Sequence, residues 1–252
     1  MHRAQAVATG VLSARGAQAA NTVALTAAEA STFANALVQD ARDGIYSAAF
    51  SVCEAVQGLD RQVFTWSTAK LYYSVFYLAR ASLSLSRVGL IYVKQTPYTW
   101  VAAPGSTPKK SSGTTHKAAL AAFAVHRASS PLLSQLIGAT DPFDWLVSLR
   151  EAVNYRLPKF SEPDVPEHFK FVARFGVRRL LSEYLADDSH QYTFDPDHAM
   201  LAFPVATLRE TMAQLRTVTG AGLSLSDCSV IGGQCFDRQG PIAEMRKLLS
   251  RP

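Results

Sequence analysis

Arg150 stands at the buried-looking end of an apolar helix pattern, with Asn154 and Tyr155 just after it. A guanidinium there could anchor a phosphate, or be a structural cation paired with Glu54, Asp144 or Glu151, and both readings stand open. Arg156 either extends the same basic edge or is a solvated surface arginine. His116 follows Gly113 at a helix start, where free N–H groups can hold an anion. With Lys117 and the Lys109-Lys110 pair it forms the best candidate contact for a nucleotide or RNA; capping and loop anchoring is the competing reading. Lys170, Arg174 and Arg178 stand four apart and line one stripe of a helix. Such a stripe suits a nucleic-acid backbone, and equally a plainly solvated face. Asp195-Pro196-Asp197-His198 holds possible metal ligands, but an Asp-Pro turn with helix capping explains it, so no metal is expected.

The elements that must position these groups are mostly helical. Thr26 and Glu29 have capping-box spacing, and an apolar stripe from Phe33 to Val56 predicts a helix to about Gln57. A second helix is expected over about Ser67 to Leu85, antiparallel to the first because the connection is short. Its face carries Ala69, Tyr72, Tyr73, Phe76, Ala79 and Leu83 at helical spacing, which reads as core and subunit-interface packing. Residues 89–114 read as a long loop, with a short strand or hairpin at most. Helix resumes near Thr115. Pro131 to Gly138 is a candidate short helix, and Asp141-Pro142 reads as cap and first turn of the helix bearing Arg150. A helix over Glu167 to Ala186 follows a proline-bounded bend. Met200 to Phe203 reads as a strand or an extended lead into a helix over Val205 to Val218. Gly220 to Gly240 is obscure, and Pro241 to Leu249 reads as a last short helix.

Composition narrows the function classes. The chain has 252 residues, enough for a full core, with 48% hydrophobic and 18% charged residues, ordinary for a globular protein. No apolar run approaches the roughly 20 residues that span a bilayer, so no membrane partner is expected. The alanine-rich start lacks a compact apolar core and a cleavage site, and reads as a loose lead-in. Cys53, Cys228 and Cys235 are odd in number and without CxxC spacing, which argues against a disulfide framework or zinc site and for a reducing cytoplasm. A net charge of +5 permits an anionic partner without demanding one. Walker-type loops, HExxH, GxSxG and dinucleotide fingerprints are missing from the sequence, so no cofactor is expected.

Three pieces in order, Tyr72-Tyr73…Phe76…Ala79-Arg80-Ala81, Thr115-His116-Lys117 with Leu120 and Phe123, and Arg150…Asn154-Tyr155, resemble HEPN domains over about residues 29 to 186. The resemblance implies a helical bundle that dimerises, often within toxin–antitoxin, antiphage or CRISPR-linked systems. Active members of that family are metal-independent ribonucleases marked by an Arg with a His four to six residues later. Here Arg150 is followed by Asn154-Tyr155 and no His precedes Pro158. Asn cannot act as a general base, and a Tyr with an ordinary pKa near 10 needs strong tuning. The Arg–Asn–Tyr form looks more like a non-cleaving, partner-binding branch.

The sequence therefore leads to an all-α, HEPN-like antiparallel bundle over 26–186 with a loop insertion at about 89–114. A flexible lead-in covers 1–25 and a mixed or irregular extension 187–252. The leading functional expectation is a non-catalytic interaction or scaffold subunit in the cytoplasm, in an antiphage-defence or toxin–antitoxin complex. It would be a homodimer or hetero-oligomer, with Tyr72, Tyr73, Phe76 and Arg80 at the interface. The alternatives are a metal-independent ribonuclease using Arg150, Asn154 and Tyr155 helped by His116, and a non-cleaving RNA binder using Lys109, Lys110, Lys117, Lys170, Arg174 and Arg178.

Overall fold

The computed structural model describes residues 2–16, 20–156, 158–234 and 241–250. They are mostly helical, with one small antiparallel sheet. In chain order come α1 (Arg3–Ala14), α2 (Ala27–Asp60), α3 (Phe64–Leu85), β1 (Val88–Val93), β2 (Thr96–Val101), β3 (Lys109–Lys110) and α4 (Thr115–His126). Then follow α5 (Pro142–Glu151), α6 (Lys170–Phe175), α7 (Val177–Ala186), α8 (Ala199–Thr219), α9 (Leu225–Gln234) and α10 (Pro241–Ser250). Packing groups them into two compact units, Met1–Gly44 with Ala79–Ala128, and Ile45–Leu78 with Ser129–Pro252. The sequence, by contrast, suggests divisions after residues 25 and 186.

In the first unit the stretch expected as a long loop with a short strand or hairpin carries a hairpin and a short third strand, ordered β1-β2-β3, so the described chain is mostly helical with a small sheet. Val88 pairs with Val101 and Val93 with Thr96, so the hairpin closes across Lys94 and Gln95. Lys94 takes φ +57 there, a left-handed conformation usually left to Gly or Asn. Ile91 and Trp100 pack on Phe33 of α2, with the Phe33 and Trp100 rings 5.7 Å apart.

The segment before residue 26, expected as a loose lead-in, carries α1. Three forces hold it. Ala4, Ala8 and Val11 are buried in the unit's core. Asp40 accepts the N–H groups of Arg3 and Ala4 at 2.8 and 2.9 Å, answering two of the free donors of the helix start. The Gln5 amide binds both the N–H and the C=O of Tyr92, at 2.7 and 3.0 Å. Gln5 thus occupies the free edge of β1 as a neighbouring strand would.

The second unit combines the later half of α2 with the first two-thirds of α3. Ser67 donates to the Ala55 carbonyl at 3.1 Å and Lys70 meets Glu54 at 3.1 Å, a register that makes these segments antiparallel as expected. Residues 200–203, read as strand or extended, lie inside α8, whose buried residues run from Ala199 to Leu215 and which packs on α7 and α10. The obscure stretch after Gly220 includes α9, and Cys235 lies outside the described residues. Only a single 3-10 turn, Pro131–Leu133, forms where a short helix was expected.

Candidate functional site

Asp141 builds the start of α5 by accepting the N–H groups of Phe143 and Asp144 at 2.9 and 3.4 Å, with Pro142 in the first turn. Phe143, Leu146 and Val153 are buried. Arg150 falls on that same stripe, so its side chain is carried inward. After Glu151 the backbone widens into a π-helical turn, Ala152–Arg156. A π turn bonds residue i to i+5, which rotates the fifth residue back over the first. Two side-chain pairs follow that spacing. Arg150 reaches the Tyr155 hydroxyl at 3.4 Å, and Arg156 reaches Glu151 at 3.4 Å.

The result is an arginine among three phenols, all within the second unit. The Arg150 guanidinium lies 5.6 Å from the Tyr72 ring centroid, 5.8 Å from Tyr73 and 5.2 Å from Tyr155. It donates to the Tyr73 hydroxyl at 3.3 Å. Glu54, Asp144 and Glu151, its expected carboxylate partners, do not pair with it; Glu54 binds Lys70 and Glu151 binds Arg156. Arg150 Nε is buried with no acceptor among the described residues. Burial pushes the Tyr72 phenol up to about 12, against the opposing pull of Arg150. Burial weakens the charge of Arg150, but its bond to Tyr73 and the surrounding tyrosines outweigh that and raise its pKa. The arginine stays charged. Asn154 is half-buried in the π turn and makes no side-chain hydrogen bond among the described residues.

Comparison with family models, with curated proteins and with solved structures finds no match to this chain. Its class is thus that of a mostly helical protein with a small sheet and an arginine–tyrosine cluster.

The remaining expected site residues fall in different places. Tyr72 and Phe76 are buried in the chain's own core, while Tyr73 and Arg80 stay half-buried. His116 lies in the first unit, at the start of α4, which Thr114 caps by accepting the Lys117 N–H. Lys117 packs its stem against Gly113. The expected stripe of Lys170, Arg174 and Arg178 is broken. Gly176, at φ +91, separates α6 from α7, so these cations do not share one helix face. Lys170 pairs with Glu167 at 2.6 Å, Arg178 with Asp60 at 2.9 Å, and Arg174 lies over the Phe175 ring. Lys109 and Lys110 form β3 and border a cleft of about 640 Å³ between the sheet and α4, also within the first unit.

Sequence reasoning passed over three features. Glu162 caps α3 by accepting the Thr65 N–H and hydroxyl, each at 2.7 Å. His168 bonds Thr68 at 2.9 Å, and burial pushes its pKa down to about 4. Residues 61–140 contain nine Lys and Arg but no Asp or Glu. Charge patterning would have exposed this last one, since the rest of the chain then carries a net −4.

Proposed function

We propose that the chain is a HEPN-like, non-cleaving interaction subunit of a prokaryotic antiphage-defence or toxin–antitoxin assembly. One observation carries the reading: the side chains that hold the Arg150 guanidinium are three phenols, those of Tyr72, Tyr73 and Tyr155. Cutting RNA without a metal needs one group to take the proton of the 2′-hydroxyl and another to protonate the leaving oxygen near neutral pH. The buried Tyr72 phenol, held at about 12, stays protonated near neutral pH and cannot take that first proton. The cluster can hold and position an acceptor, which is a binding role.

Exposed side chains of the same unit suit a partner. Trp66 and Phe160 are 50% and 53% exposed and meet edge to face at 5.8 Å, and Tyr155 is 71% exposed. Tryptophan, tyrosine and arginine are the residues that dominate interface energetics. The RNA-binder reading loses its stripe, because Gly176 divides it and Lys170 and Arg178 already face carboxylates.

The test is incubation of the purified protein with total RNA and a chelator, beside Arg150→Ala. Intact RNA with both proteins is the expected result. Cleavage by the wild type that a folded Arg150→Ala variant loses would make the π turn an active site and end this reading.

A further inference from the structure

We propose that the cleft between the sheet and α4 binds a small phosphomonoester whose phosphate meets Lys109, with Lys110 at the rim, and whose compact apolar body lies on α4. The cleft lies wholly within the first unit, so the inference stands independently of the role given to Arg150.

Its electrostatics favour an anion. Lys109, Lys110 and His126 border it, and none of its lining residues is acidic. Among the described residues neither lysine makes an ion pair. The carboxylates that could compete are held elsewhere in the unit. Glu29 binds Arg15, and Asp40 and Asp43 bind Arg3. Lys109, paired with Thr99, falls on the cleft face of β3, and Lys110, paired with Tyr98, on the other, so one ammonium faces the cleft and a second stands at its rim in a stretch, 61–140, that is free of acid.

The donor set favours phosphate over carboxylate. Ser106 spends its hydroxyl on the Val101 carbonyl and Thr99 on that of Lys109, but Thr107, Ser111 and Ser112 keep theirs available among the described residues. One ammonium group, a second at the rim and three hydroxyls exceed what a planar carboxylate can answer. A phosphate monoester offers three terminal oxygens and close to two charges at neutral pH.

The opposite wall is apolar. Ala118, Ala121, Ala122 and Val125 recur at i, i+3, i+4 and i+7 and line the cleft from α4. Val125 is 73% exposed, so an apolar group laid there removes it from water. Alanine methyls leave the room that makes the cleft. Its volume lies inside the range of about 300–1,000 Å³ usual for small-molecule sites.

The rim is fixed in advance. Gly105 donates to the Leu25 carbonyl at 2.8 Å, and the Ser106 carbonyl accepts from Leu25 N–H and Trp100 Nε1, each at 3.1 Å. Ser111 N–H closes onto the Pro97 carbonyl at 2.9 Å. A preformed rim lowers the ordering cost of binding.

The experiment titrates the full chain, observed by amide NMR, with phenyl phosphate, inorganic phosphate, benzoate and a single-stranded uridine oligomer. Saturable shifts confined to residues 99–126 are expected for phenyl phosphate, with weaker binding of inorganic phosphate and of benzoate. Lys109→Gln with Lys110→Gln should weaken phenyl phosphate by at least about ten-fold, the scale of losing one charge-assisted hydrogen bond. Ala121→Leu, at an exposed helix position, should weaken it similarly by filling the cleft while the helical circular dichroism is kept. Absence of saturable shifts, or affinity unchanged in both folded variants, overturns the proposal. So does an RNA oligomer that binds these residues more tightly than phenyl phosphate, because the surface is then a polyanion track.

Discussion

Arg150 holds its charge against three phenol rings instead of a carboxylate, and the arithmetic of that choice is modest. A cation–π contact contributes about 0.5–1 kcal/mol at an exposed site and about 2 when desolvated, and Tyr155 is open to water. Arg150→Met should therefore cost only about 1–2 kcal/mol in chemical denaturation. Tyr72 should ionise at about 12 in an alkaline absorbance titration. His168 is the opposite case. Burial lowers its pKa from 6.5 to about 4, so between those values the unfolded chain binds the proton and the folded one does not. Its stabilising effect is full above pH 6.5 and is lost as pH falls towards 4. At about 1.4 kcal/mol per unit the loss is roughly 3 kcal/mol. His168→Gln should flatten the fall of Tm between pH 7 and 4.5; an unchanged slope would assign acid lability to other groups. Arg150 was legible from its place on an apolar stripe. Tyr155 was grouped with it, but the π turn that brings its ring over the guanidinium has no sequence signature, and the contact with Tyr72 and Tyr73 is made at long range along the chain.

At the level of elements, local chemistry was readable and distant chemistry was not. Thr26 and Glu29 form the capping box their spacing announces, with Thr26 N–H on Glu29 at 2.7 Å and Glu29 N–H on Thr26 at 3.3 Å. Thr26→Ala should cost about 1 kcal/mol in thermal unfolding. Asp141-Pro142 likewise starts α5 as expected. The start of α3 is capped from Glu162, 97 positions along the chain. No local pattern could show that. The sheet was legible only as a short strand or hairpin, without its register or third strand. Its hairpin turns on Lys94 with no glycine or asparagine to mark it, although Val88 to Val93 was already apolar and β-rich. The helix α1 was recoverable, since Ala4, Ala8 and Val11 stand at helical spacing. Gly89 shows how closely β1 lies on α2: a Cβ there would meet the Phe33 ring at 2.5 Å. Phe33 is fully buried and cannot swing away, so Gly89→Ala should destabilise by about 1–3 kcal/mol, measured by denaturant unfolding. A neutral result would mean that β1 can shift from α2 without loss.

For the whole molecule, the decisive fact is that neither compact unit is one continuous stretch of chain. The first is interrupted by residues 45–78, which belong to the second. Divisions along the sequence cannot express units of this kind, because each gathers two separate stretches. The discontinuity also predicts the fate of a truncation. A chain ending at residue 128 keeps all of the first unit but leaves Ile45, Val52, Leu71, Val75 and Leu78 without the segment 129–252 they pack with. It should bind a hydrophobic dye and scatter light on concentration, whereas a clean monomer with native near-ultraviolet dichroism would show that these units are less interdependent than their chain order suggests. The same order sets a timetable on the ribosome. Fifty residues separate Leu78 from the first residue of the segment that completes its unit. At about 5–20 residues per second, the apolar faces of Ile45–Leu78 wait roughly 3–10 s for that segment to start emerging. During that interval the nascent chain is a substrate for whatever holds unfinished hydrophobic surfaces in the cell, and slowing translation across residues 79–128 should lengthen that dependence.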